Sequence, residues 1–490
     1  MGNQTARQHE PSVAETQQAG LTANIARAAS QVIFEGLPDE IVELTRQCFL
    51  DWLGVTIAGT HEPLVQILVD EVNEQGGHPQ ATLIGRSAKV STRQAATING
   101  AASHALDYDD VNWTLQGHPS VAIIPGLLSL AEFRGASGRD FIAAFVAGYE
   151  TACRVGRLVS PSHYQRGFHA TSTVGAIGAA AACANLLQLD PDKTAHAFGI
   201  AATRAAGLKS MFGTMCKPLH AGSAAENGLL AALLAAHGFE SRKDVLECAQ
   251  GFADTQSDGP SVEAALKPPR AGYYLRENLF KFHAACYLTH SAIDCCAWLR
   301  QEAGLRPSDI SEVVLQVDSG VGGVCNILKP DSGLEAKFSL RMTSAFALAG
   351  IDTASITSYS TENCTDPLLV SLRDKVRVEF QSGWPATRTA VAIELHDGRC
   401  LRAEHDSGIP AADIELQGSR LVSKFHSLVD PLLGSGSPEA LVSRVSELQD
   451  LANLDSLVDL TLTGPRTPAL TDPIALPGRE GIIVEENDAN

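Results

Sequence analysis

Two alanine-rich runs, Gly178-Ala179-Ala180-Ala181-Ala182 and Ala231-Ala232-Leu233-Leu234-Ala235-Ala236, set the tightest limit on how this 490-residue chain folds. Short side chains around a helix let neighbouring backbones approach closely and bury it on several sides, so a central, largely buried helix pair is expected. Apolar residues spaced by three and four (Ile41, Leu44, Cys48, Trp52) extend the helical reading back to Leu37, and the apolar habit continues through 141–155 and 229–236. The pattern stops at Lys267-Pro268-Pro269-Arg270. Beyond it, 313–317, 376–380 and 390–395 have strand composition, and His396-Asp397-Gly398-Arg399 supplies an Asp-Gly hairpin turn before 400–403. Helical periodicity returns over 414–433 and 441–451. The expected fold class is mainly α with an α+β lid: a large all-helical domain, and a smaller α+β domain inserted before the C-terminal helices. The expected boundaries are a disordered N-terminus at 1–20, a helical domain at 21–272, a lid at 273–408, returning helices at 409–460 and a tail at 461–490.

With 37 Lys+Arg against 56 Asp+Glu, the net charge of -19 gives a surface field that repels nucleic-acid backbones and anionic bilayers. Cationic groups that capture an anion must then be concentrated locally. The polar start has no apolar core flanked by basic residues, and no unbroken apolar stretch is long enough to span a bilayer. Eleven cysteines without repeated CxxC pairs read as reduced thiols, so a cytoplasmic location is expected. No dinucleotide fingerprint, Walker lysine loop, GxSxG elbow or iron–sulfur spacing occurs, and the expected cofactor is none.

Residues able to do chemistry fall in a few short segments. Asp107-Tyr108-Asp109-Asp110 precedes His118 in Gly117-His118-Pro119-Ser120. A carboxylate beside an imidazole fixes its tautomer and raises its basicity, as a proton-abstracting base requires. The plainer reading is a polar loop with a carboxylate capping the next helix, and a third is Mg²⁺ or Ca²⁺, although the calcium-loop spacing is missing. Gly167-Phe168-His169 leads into the first alanine run with hydroxyl residues suited to an N-cap, which puts His169 at a helix entrance where free N–H groups favour anions. Histidines beside caps are as often structural. In Cys216-Lys217-Pro218-Leu219-His220, Pro218 suits the first turn of a helix reaching about His237. Lys217 there opposes the macrodipole and calls for a negative partner, unless it is an ordinary surface lysine. Lys281 through Cys286 to His290 puts titratable groups in an apolar frame just after the expected domain boundary. Cys286 and His290, four apart, face together if helical, and a packing thiol is the alternative.

Taken in order and spacing, these segments resemble the MmgE/PrpD family over roughly residues 25–460. Leu50-Asp51-Trp52-Leu53-Gly54 and Gly333-Leu334-Glu335-Ala336-Lys337-Phe338-Ser339 also carry the likeness. Members of that family dehydrate 2-methylcitrate, decarboxylate cis-aconitate or epimerise iminodisuccinate. The resemblance implies a helical domain with an α+β lid, a homodimer, and metal-free chemistry on small polycarboxylates between the domains. It places Asp107, His118, His169, Lys217 and Lys281 at active-site positions. Cys286 stands where the decarboxylase has histidine, and a tyrosine upstream of Glu335 is replaced near Val324, which weighs against decarboxylation.

The expected chemistry is proton transfer at a carbon α to a carboxylate. His118 or His169 removes the proton, Lys217 and Lys281 neutralise the developing charge, and Asp107, Cys286 and His220 join Lys281 in holding substrate. A hydro-lyase is favoured, then an epimerase or isomerase, then a decarboxylase. A pyridoxal enzyme with a Schiff-base lysine and a non-enzymatic helical scaffold are the competing classes.

Overall fold

The computed structural model describes residues 20–462, so the expected mobile start and tail lie outside the described residues except for Gly20, Thr461 and Leu462. Helix α1 (Asp39–Gly59) opens with Asp39 and Glu40 in its first turn, where carboxylates offset the positive end of the helix. Helix α2 (Thr92–His104) and helix α4 (Gly138–Val159) each start from a capping box, Ser91 with Gln94 and Ser137 with Asp140. Between them, α3 (Pro119–Arg134) has proline in its first turn and stops at Gly135, whose φ of 64° only glycine takes at no cost.

Both alanine runs lie in helices, α5 (Ala170–Leu186) and α7 (Cys216–Ala236), joined through α6 (Pro191–Arg204). Residues 170–184 of α5 are all buried. It packs between α4 and α7, while α7 also lies against α2, so the expected central pair is present. A Cβ on Gly228 would stand 2.5 Å from the backbone nitrogen of Ala180, and one on Gly148 would stand 2.7 Å from Gly178 O. Only glycine permits these crossings, and widening them disturbs packing by about 1–3 kcal/mol.

The later part holds α8 (His290–Ala303), β1 (Ile310–Asp318), α9 (Leu340–Ala349), β2 (Val376–Gln381), β3 (Arg388–Leu395) and β4 (Cys400–Asp406). The sheet order is β2-β1-β3-β4, with β1 parallel to β2 and the other pairs antiparallel. Val313 stands opposite Val376 and Leu315 opposite Val391. Ile310, Val313, Leu315 and Val317 are buried, and α8 and α9 cover the sheet. The Asp-Gly turn joins β3 to β4 with Gly398 at φ 89°.

Helix α10 (Ile414–Val429) follows the sheet and packs on α1. Its Lys424 places Nζ 2.6 Å from Asp51 Oδ1 and donates to Tyr108 O at 2.7 Å, in the loop that carries Asp107 and Asp109. One buried cation therefore ties the C-terminal helix, α1 and that loop together. The apolar core runs without a break from the helices into the sheet. Among the described residues, no helix is long and apolar enough to cross a membrane.

Candidate active site

Three helix entrances converge. His118 is the residue before α3, His169 the residue before α5, and Lys217 sits in the first turn of α7. The start of α3 is held to α5, because His118 N–H donates to Thr171 Oγ1 at 3.1 Å and a Cβ on Gly117 would lie 2.9 Å from Thr171 N. Neither histidine caps its helix through its side chain, which leaves both imidazoles for the pocket.

Asp107 is the hub. It takes a φ of 51°, a left-handed conformation unusual outside glycine, which turns its carboxylate toward the lysines. Lys217 Nζ stands 2.8 Å and Lys281 Nζ 3.2 Å from Asp107 Oδ1, and Lys281 also donates to Asp107 O at 2.5 Å. Burial opposes ionisation of Asp107, but Lys217, Lys281 and His118 outweigh it and hold the carboxyl well below its usual range. Burial likewise works against the Lys281 ammonium, and Asp107 and Asp109 keep it charged.

Asp109 serves two imidazoles. His104 Nδ1 lies 3.0 Å from its Oδ1, and His118 Nδ1 lies 2.8 Å from its Oδ2, close but poorly aligned. Despite complete burial, the two rings hold Asp109 well below the ordinary carboxylate range. With Nδ1 toward Asp109, the His118 Nε2 faces Asp107 at 3.7 Å. His104 lies edge-on to His118, with ring centroids 4.6 Å apart, and burial lowers its pKa to about 4, so it stays neutral. His169 is also neutral, depressed first by burial and then by His104 and Lys217. Its Nδ1 meets His220 Nδ1 at 3.1 Å. Phe212 lies against the His169 ring at 4.9 Å.

From the later part of the chain come Lys281, Cys286 and Lys337. Cys286 and His290 do not share a helix face as expected: Cys286 precedes a short turn over Tyr287–Thr289, and His290 begins α8 with its ring against His283 and Tyr287. Cys286 instead lies near Cys325 and Lys281, whose influence brings its pKa down against the effect of burial. Lys337 has no ion-pair partner among the described residues. Burial lowers its pKa, while Asp107 and Glu62 pull it upward.

The structure thus brings together His118, His169, His220, Lys217, Lys281, Asp107 and Cys286. Sequence reasoning missed the roles of His104 and Lys337. His104 had a readable signal, a histidine three before Asp107 at the end of α2, whereas Lys337 lay in a segment with no evident chemistry. Donor atoms of His104, Asp107, Asp109 and His118 fall within 4.8 Å of one another, a spacing a metal ion accepts. Two ammoniums already neutralise Asp107, so a cation there would have to displace them or bear their repulsion.

Fold and site together define a helical protein with an α+β portion and a cluster of imidazoles, ammoniums and carboxylates built from both. The chain belongs to the MmgE/PrpD family: the MmgE/PrpD N-terminal domain matches residues 23–265 and the MmgE/PrpD C-terminal domain residues 283–448. It is 29% identical to a cis-aconitate decarboxylase of Mus musculus over 455 residues, 88% of this chain and 90% of that protein. It is 28% identical to one of Homo sapiens over 466 residues, 91% and 95% of the two chains. It is also 28% identical to one of Aspergillus terreus (strain NIH 2624 / FGSC A1156) over 492 residues, 94% and 97%.

Proposed function

We propose that this chain is a metal-independent lyase acting on a small tricarboxylate of the citrate or aconitate type by proton transfer next to a carboxylate. The observation that carries this reading is the surplus of ammonium in one pocket. Lys217 and Lys281 both reach Asp107 and Lys337 acts on it from farther off, while His104 and His169 stay neutral. A substrate carboxylate whose α proton leaves becomes an enediolate-like dianion, and Lys217 and Lys281 stabilise that charge. His118 Nε2 takes the proton, with Asp109 behind it stabilising the imidazolium. The departing hydroxyl takes its proton from the His118 imidazolium formed in that step, while neutral His169, in contact with His220, holds the hydroxyl by a hydrogen bond. Lys337 holds a second carboxylate, and Cys286 lines the wall beside Lys281. Since Lys281, Cys286 and Lys337 belong to 273–408, that segment acts as the lid.

Dehydration is the first reading. Decarboxylation is the second, favoured by the curated relatives, which are named cis-aconitate decarboxylases and match along most of the chain. In that reaction a C–CO₂ bond breaks in place of C–H, and His118 returns a proton to the carbanion. Exposed Leu208, Phe212 and Met215 beside the pocket support a homodimer that covers this flank. Proton NMR in D₂O with citrate, 2-methylcitrate and cis-aconitate tests the chemistry. A new alkene signal or α-deuterium is the expected result. Carbon dioxide release with a methylene product selects the second reading. No exchange and no turnover with any of the three acids overturns the proposal.

A further inference from the structure

His104 takes no part in the proposed proton transfers, yet it lies among the groups that do. It is the last residue of α2, a helix packed against α3 and α7, and it is fully buried. Its ring is flanked by the His118 ring, edge-on at 4.6 Å, and by the His169 ring, stacked at 5.9 Å. Its Nδ1 stands 3.0 Å from Asp109 Oδ1 and 3.1 Å from Asp109 Oδ2, so one N–H is shared by both oxygens. An ionised carboxylate only accepts, which puts the His104 proton on Nδ1. Its Nε2 has no hydrogen-bond partner among the described residues, leaving Asp109 as the ring's one polar link.

The Asp109 carboxylate has little else to hold it. The backbone on either side is pinned, because Lys424 donates to Tyr108 O at 2.7 Å and Val111 N–H donates to Leu279 O at 2.8 Å. The side chain, among the described residues, meets only His104 and the His118 Nδ1 at 2.8 Å, which is close but out of line. The well-formed bond is the one to His104, and it sets the plane of the carboxylate in which His118 must find Oδ2.

We propose that His104 is a positioning residue for the base: it orients the Asp109 carboxylate, and Asp109 in turn holds His118 with its proton on Nδ1 and Nε2 toward the substrate. The inference rests on His118 acting as the base, as proposed above. A neutral imidazole carries one N–H, so fixing it on Nδ1 leaves the lone pair on Nε2, the nitrogen on the Asp107 side. If the carboxylate is free to turn, the ring takes its proton on either nitrogen, and the form protonated on Nε2 cannot act as the base.

The test is long-range proton–nitrogen NMR of the full chain with nitrogen-15-labelled histidine at alkaline pH, which reads the tautomer of each ring, with His118→Asn assigning the His118 signals. In the parent chain His104 and His118 should each carry the proton on Nδ1. His104→Phe keeps a ring of similar size and removes the donor. It should show His118 in both tautomers and lower kcat by about 10²-fold, the usual cost of a misplaced catalytic group, with KM within about twofold. His104→Asn, whose side-chain N–H can take the place of Nδ1–H, should return His118 to one tautomer and recover most of kcat. A His118 proton on Nε2 in the parent, a single Nδ1 tautomer unchanged in His104→Phe, or equal losses of kcat in the two variants would overturn the inference, and the first of these needs no variant to fold. Both tautomers in His104→Phe with kcat unchanged would support the link from His104 through Asp109 to His118 and overturn His118 as the base, so the two readings fail separately.

Discussion

Two imidazole–carboxylate clusters in this chain use the same residue types to opposite ends. Around Asp109, His104 and His118 share one carboxylate, while Lys217 and Lys281 converge on Asp107 and Lys337 keeps its charge unpaired. Around Asp294 on α8, His283 approaches at 3.2 Å, and His405 and Arg420 approach at 3.8 Å. The other ring nitrogen of His283 meets Thr353 Oγ1 at 2.7 Å. The second cluster closes on itself, because its cation and imidazoles are spent on one carboxylate. The first holds more ammonium than carboxylate, inside a chain that is acidic overall. On the proposed function, cation left over for a ligand, and not His–Asp pairing, separates the reactive cluster from the structural one.

The largest expected effect follows from removing the base. His118→Asn keeps the ring position polar but has no nitrogen able to take a proton, so kcat should fall by about 10²–10⁴-fold, the usual worth of a general base. Deuterium entry from D₂O into the substrate measures it directly. A residual rate near wild type would move the base to His169 and dissolve the contrast drawn with Asp294.

Lys424→Met probes what holds the Asp109 cluster in place. It leaves Asp51 buried without its partner, and breaking a buried pair costs about 3–5 kcal/mol in denaturant unfolding. Asp51 already has its pKa raised by burial to about 6, so it can escape the penalty by protonation. Without Lys424, which holds that pKa down, Asp51 protonates at still higher pH, so the loss should shrink as pH falls toward 6 and level off below it, where the parent chain protonates as well. A loss that does not change with pH would mean that packing, not charge, carries the joint.

Much of this contrast was legible in the chain itself. The helix pair, the Asp-Gly hairpin and the converging His118, His169 and Lys217 each follow from a local signal: alanine content, a turn dipeptide, helix entrances. What local patterns cannot carry is a contact set by long-range packing. The parallel pairing of β1 with β2 depends on a long crossover, and Lys424 reaches Tyr108 across more than three hundred residues. The shift of Cys286 from His290 to Cys325 has the same origin. The short turn at Tyr287–Thr289 breaks the helical spacing, and only the folded chain brings residue 325 alongside.

Lys337→Gln removes the unpaired charge while keeping length and polarity. With a tricarboxylate substrate, KM should rise about tenfold, equivalent to about 1.4 kcal/mol of lost binding, with kcat changed less. A dicarboxylate analogue should lose less than the tricarboxylate. Equal losses with both would remove Lys337 from the pocket.

Asp110, next to the cluster, gives a pH-dependent contrast. Burial raises its pKa from 3.8 to about 7, although Ser120 donates to it at 2.5 Å. Between about pH 4 and 7 the folded chain therefore holds a proton there that the unfolded chain has released. That contribution to stability is complete below the unfolded pKa and is lost as pH rises through the folded one. Unfolding midpoints compared across this window should show a shallower decline in Asp110→Asn than in the parent chain. Identical slopes would show that Asp110 is ionised in the folded state and that its hydroxyl and backbone donors outweigh burial.

The smallest effect is expected in the other cluster. Asp294→Asn keeps the shape of the side chain and one oxygen to accept from His283, but removes the charge that His283, His405 and Arg420 share. If that cluster only braces α8 against β4 and α10, turnover should stay within about twofold of the parent chain, because side-chain changes away from reacting groups seldom move the barrier by more than about 0.5 kcal/mol. A loss approaching that of His118→Asn would mean that Asp294 reaches the chemistry through His283 and its neighbour Lys281. Surplus ammonium would then no longer be sufficient to tell the two clusters apart.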